Sequence, residues 1–88
     1  MKTIYKYTLE RTDWQEVAIP DDARVLSVMV QGGEICVWAE VDTENELRNW
    51  GFWVVGTGNP IPENCTNNGN HIGSVIDGPF VWHIYTDD

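Results

Sequence analysis

Basic residues are scarce in this chain. Five Lys and Arg stand against fourteen Asp and Glu among 88 residues, a formal charge of −9 with both histidines neutral. Phosphate neutralisation needs clustered cations, so the balance argues against direct binding of duplex DNA or RNA. No apolar run approaches the roughly 18 residues of a membrane-spanning helix. The opening Met1-Lys2-Thr3-Ile4-Tyr5-Lys6-Tyr7 alternates polar and apolar, unlike an export signal, and no membrane association is expected. Cysteine is limited to Cys36 and Cys65, too few for a disulfide framework. Both thiols are expected free, in a reducing cytoplasm. Helical periodicity is also missing, apart from a conceivable single turn near residues 43–47.

What is present is aromatic and β-like. Five tryptophans and an apolar fraction of 42% set the chain apart from a disordered acidic tail, which would be poor in aromatics. A single domain over residues 1–88 follows from the length. Alternation predicts a strand over about 3–9 and a short one from Trp14 to Ile19, ended by Pro20-Asp21-Asp22. Arg24–Gln31 and Glu34–Asp42 flank Gly32-Gly33, the signature of a two-residue hairpin turn. Leu26, Val28 and Val30 are expected to face the core from the first arm, and Ile35, Val37, Ala39 and Val41 from the second.

The stretch from Arg48 to Thr57 is apolar on both faces, with Trp50, Phe52 and Val54 on one and Trp53 and Val55 on the other. Such a strand is central and covered twice, or part of an interface. Residues 56–70 read as irregular. A last hairpin joins His71–Ile76 to Phe80–Thr86, with Phe80, Trp82 and Ile84 on one side and Val81, His83 and Tyr85 on the other. Six to seven short strands with tight turns predict an all-β fold, a small antiparallel β-sandwich or partly open barrel.

Two constellations carry the functional expectations. The first is Trp38, Glu40, Asp42, Glu44 and Glu46, an acidic hairpin end beside a tryptophan, suited to a partner protein with a basic patch. It lacks the glycine of a calcium loop, since the sixth position counted from Asp42 is Leu47. The second is Gly56, Thr57, Gly58 and Asn59, a loop that with nearby aromatics suits a small, nucleotide-type ligand. No Lys follows it and no helix is expected to begin there, unlike a phosphate loop. His71, His83, Cys36 and Cys65 show no close metal-ligand spacing, so no metal or other cofactor is expected. No nucleophile, base and orienter can be read from the spacing, and no enzyme is expected. Some of Trp38, Trp53 and Tyr85 are expected at the surface.

The segments Lys2-Thr3-Ile4-Tyr5-Lys6-Tyr7, Val28-Met29-Val30-Gln31-Gly32 and Ile35-Cys36-Val37-Trp38-Ala39 are followed in order by three more. These are Val55-Gly56-Thr57-Gly58-Asn59-Pro60-Ile61, Ile72-Gly73-Ser74 and Phe80-Val81-Trp82-His83. Across nearly the whole chain this order resembles a family of small uncharacterised proteins of tailed phages and prophages. The run from Asn64 to Asn70 and the heavy acid content depart from it. The resemblance carries no catalytic residues; it implies a phage accessory product acting in a bacterial host cytoplasm. The resulting expectation is a non-enzymatic protein that binds a host protein through its acidic surface and inhibits a defence, regulatory or nucleic-acid-binding factor. A small-molecule sponge and a virion or assembly component are the alternatives. Free sheet edges also predict a homodimer.

Overall fold

The computed structural model describes residues 1–88. Strands β1 (Lys2–Leu9), β3 (Arg24–Gln31) and β4 (Glu34–Asp42) form one antiparallel sheet in the order β1-β4-β3. Strands β2 (Gln15–Pro20), β5 (Leu47–Gly56), β6 (Asn70–Asp77) and β7 (Phe80–Thr86) form a second, in the order β2-β5-β7-β6. The protein is a small all-β sandwich and not a closed barrel.

Alternation decides what lies between the sheets. Ile35, Val37, Ala39 and Val41 of β4 meet Trp50, Phe52 and Val54 of β5, all nearly without solvent contact, with Leu9, Ile19, Val75 and Ile84 around them. The β3–β4 turn takes positive φ at both Gly32 (58°) and Gly33 (79°), as its two-residue form demands. On one side of the sandwich β3 and β6 close together, and a Cβ at Gly73 would already touch Val28 at 3.4 Å.

Several expectations need correction. The pairing of β3 with β4 slips between Val25 and Ser27, so Leu26 turns outward and is 43% exposed. Val25, not Leu26, joins Val28 and Val30 against the core. Such a bulge reverses the alternation on one side of itself. Phe80 shares a side with Trp82, as expected, and their ring centroids stand 5.9 Å apart, but it remains 58% exposed at the strand start.

Residues 43–47 form no helical turn. The Glu44 N–H donates to Asp42 Oδ1 (3.1 Å) and the Asn45 N–H to the Asp42 carbonyl (3.1 Å), a local side-chain bond that favours a turn over a helix. The helix lies instead at Glu63–Asn68 (α1), in the stretch expected to be irregular. Its Asn-rich sequence has little intrinsic helix preference. Tertiary contact holds it: Cys65 is buried with Trp53 and Val55, and the Trp53 Nε1–H donates to Asn64 Oδ1 (3.3 Å).

Candidate functional site

The predicted acidic hairpin end lies on and beside the outer face of the three-stranded sheet. Antiparallel register sets Lys6 beside Trp38, Ile4 and Arg24 beside Glu40, and Lys2 beside Asp42. Glu40 pairs with Arg24 (3.3 Å), and Asp42 with the Met1 ammonium (3.2 Å). The Glu44 amide, and after it the Met1 ammonium, hold the Asp42 carboxyl below its ordinary range. Glu44 and Glu46 stand exposed on the turn beyond. An open trough of about 390 Å³ on this face is lined by Lys2, Thr3, Ile4 and Glu40. Trp38, Glu40 and Asp42 therefore share one face, as expected, but that face also carries Lys2, Lys6 and Arg24, which offset Glu34, Glu40 and Asp42.

The acidic surplus consequently falls on the rest of the molecule, where only Arg11 and Arg48 face eleven carboxylates. Both arginines are engaged. Arg48 bridges Asp21 and Asp88, and Arg11 pairs with Asp77 (2.8 Å) and donates to the Gly33 carbonyl (2.7 Å). Four other carboxylates gather along β2, the edge strand of the four-stranded sheet. The Glu10 backbone N–H donates to the Gln15 side-chain oxygen (2.8 Å) and its carbonyl accepts from the Gln15 amide (2.7 Å). Glu16 stands opposite Gly51, and Asp87 accepts from the Gly51 N–H (2.8 Å). Asp13 directly precedes Trp14 in the connection into β2.

Trp14 lies over Gly51 and against Trp53, with ring centroids 4.7 Å apart, and remains 43% exposed. Of Trp38, Trp53 and Tyr85, some of which were expected at the surface, Trp38 and Tyr85 are partly exposed and Trp53 is buried beneath Trp14 and α1. In the sequence these acids are scattered over separate segments. Only the pairing of β2 with β5 and the return of the C-terminus to Gly51 bring them together.

The second predicted site is a real surface feature. Gly56, Thr57, Gly58 and Asn59 line a hollow of about 170 Å³ together with Val55, Ile61, His83 and Tyr85. Beside it runs a polar chain that the sequence reading missed. Thr57 Oγ1 lies 2.8 Å from His83 Nε2, Ser74 Oγ lies 2.8 Å from His83 Nδ1, and His71 Nε2 lies 3.2 Å from the same Ser74 oxygen. A signal for it existed. A two-residue Gly78-Pro79 turn sets Asp77 opposite Phe80, and counting back along both strands sets Ser74 opposite His83. The slip near Ile72 was not legible; it places His71 opposite Tyr85, whose ring it meets edge-on at 5.2 Å.

No three His, Cys, Asp or Glu side chains converge as a metal-binding group. Cys36 and Cys65 are both free and buried. They lie on the outer sides of opposite sheets, so the sandwich itself separates them. No helix is long and apolar enough to cross a membrane.

Fold and surface define a small two-sheet β-sandwich with an anionic edge and a histidine-bearing outer face. Residues 1–88 match the domain of unknown function DUF7352, and the chain belongs to that family. No curated protein and no solved structure matches it.

Proposed function

We propose that this domain is a non-catalytic binding protein for a partner with a basic patch, and that the acidic edge along β2 makes the contact. One observation carries the reading: the outer face of the three-stranded sheet balances its charges, while Glu16 stands opposite Gly51 and Asp87 bonds it beneath the half-exposed Trp14, with Glu10 and Asp13 in the segment that leads into that tryptophan. A one-signed patch steers an oppositely charged partner and speeds encounter, and a tryptophan at its centre supplies contact area. The likeness to small phage and prophage proteins supports a host protein as that partner, with inhibition of a nucleic-acid-binding or defence factor as the role. Trp38, Glu40, Asp42, Glu44 and Glu46 become a secondary contact in this reading, because two of the four acids are already paired.

The experiment compares two triple variants of equal charge change, so that only location differs. One is Glu10→Lys, Asp13→Lys and Glu16→Lys; the other is Glu40→Lys, Glu44→Lys and Glu46→Lys. Association with a labelled Lys/Arg-rich decapeptide, and with any basic protein captured from bacterial lysate, is followed at low and high salt. The edge variant is expected to associate about tenfold or more slowly at low salt, with the other close to wild type. Equal slowing in both would overturn the assignment to β2.

A small-molecule role rests on the hollow at Gly56, Thr57, Gly58 and Asn59. Its volume of about 170 Å³ lies below the usual ~300–1,000 Å³ of ligand pockets, so it suits a small group more than a whole nucleotide. Mass spectrometry of natively purified protein tests it, since a retained ligand appears as a defined mass increment.

A further inference from the structure

We propose that His71 and His83 form a binding site for one borderline divalent transition-metal ion of the zinc and copper class. The two imidazoles come from neighbouring strands, and their ring centroids stand 6.4 Å apart. Both aim a nitrogen at one point: His71 Nε2 lies 3.2 Å and His83 Nδ1 2.8 Å from Ser74 Oγ. Two imidazole nitrogens converging on a shared position supply two of the ligands that such an ion takes. Bonds of about 2.0–2.1 Å to zinc need the rings to swing inward, which exposed His71 has room to do, and the Ser74 hydroxyl yields its place.

The surroundings favour this class of ion over others. The far nitrogen of His83 is held by Thr57 Oγ1 at 2.8 Å, and Thr57 in turn bonds the Val81 carbonyl at 3.3 Å. A partner on the second ring nitrogen is the device that orients metal-binding histidines elsewhere. The outward positions of β6 and β7 are His71, Ser74, Ile76, Val81, His83 and Tyr85, with no carboxylate among them. Calcium and magnesium favour carboxylate-rich oxygen sets and find no carboxylate here, whereas imidazole suits zinc, copper and nickel. Two protein ligands leave further coordination positions open to water or to a group from another molecule. The site lies across the sheet from the β2 edge, so this inference and the proposed function stand or fall separately.

Calorimetric titration of the full chain with zinc chloride, against magnesium chloride, tests the site. A saturable one-to-one heat is expected with zinc only, lost in His71→Gln and in His83→Gln and retained in Ser74→Ala. His71 is exposed, so its variant decides the matter even where His83→Gln disturbs the strand. Zinc is also expected to shift the ring resonances of His71 and His83 in the NMR spectrum. An undiminished heat in His71→Gln, no saturable heat in wild type, or shifts confined to other residues would overturn the proposal.

Discussion

The ring of Trp14 occupies the space where Gly51 has no side chain. A Cβ built on Gly51 would run into the indole and come within 2.7 Å of an Asp87 carboxylate oxygen. Gly51 thus makes a notch in β5 that leaves room for the Trp14 ring to sit over the strand and meet Trp53. It also frees the Gly51 N–H and carbonyl for Asp87 and Thr86, at 2.8 Å each.

Gly51→Ala is therefore expected to destabilise the domain by about 1–3 kcal/mol, the usual cost of overpacking. Urea unfolding measures it. In a Trp14→Ala background the same change is expected to cost less, because the ring it displaces is gone. The near-ultraviolet circular dichroism of the Trp14–Trp53 pair is expected to collapse in either single variant.

The bulge in β3 makes a second prediction. Leu26→Ser is expected to change stability by no more than about 0.5 kcal/mol, since the side chain already stands outward. Ile84→Ala, at a position with no exposure, is expected to cost about 2–5 kcal/mol. A large loss on Leu26→Ser would contradict the observed register.

Burial pushes the Cys65 thiol above its ordinary pKa, and Cys36 is covered at its register position by Thr8 and Met29. Thiolate is the reactive form, so a thiol-specific reagent is expected to modify neither cysteine in the native protein. Both should react in guanidinium chloride. No intramolecular disulfide is expected under oxidation, because two sheets stand between the sulfurs.

Asp77 couples three elements: it accepts from Trp82 Nε1 at 3.0 Å and pairs with Arg11 at 2.8 Å. The Trp82 bond first, and the Arg11 bond second, hold its carboxyl below the ordinary range. A carboxyl depressed in the folded state contributes stability above its unfolded pKa of about 3.9, and this is lost as pH falls through the lower folded value. The wild type is expected to weaken on acidification below about pH 4. Asp77→Asn is expected to be less stable near neutrality and to lose less on acidification, as read from thermal unfolding across pH.

Much of the framework was legible in the residues themselves. Alternation along β4 gives its buried and outward positions, because side chains on a strand repeat every two residues. Gly32-Gly33 and Gly78-Pro79 fix two hairpin registers, because so short a turn leaves one way to pair. The two apolar faces of β5 left a doubly covered strand and an interface strand both open, and burial of Trp53 and Val55 with Cys65 decides for the first. Leu26 escaped that logic because a bulge inserts one residue without any compositional mark. The helix at Glu63–Asn68 escaped because its stability comes from Cys65 settling on Trp53, and not from its own sequence.

The sequence by itself determined an acid-rich β protein with large aromatics, since charge follows from composition and period from residue order. Tertiary structure alone decided where the charge shows itself. Cross-strand pairing drew Lys2, Lys6 and Arg24 beside Glu40 and Asp42, and sheet order carried Glu10, Glu16 and Asp87 to one edge around Trp14. It likewise joined His71 to His83 across a hairpin. Electrostatic and hydrogen-bonding effects depend on separation in space, which linear order leaves open until the strands have paired.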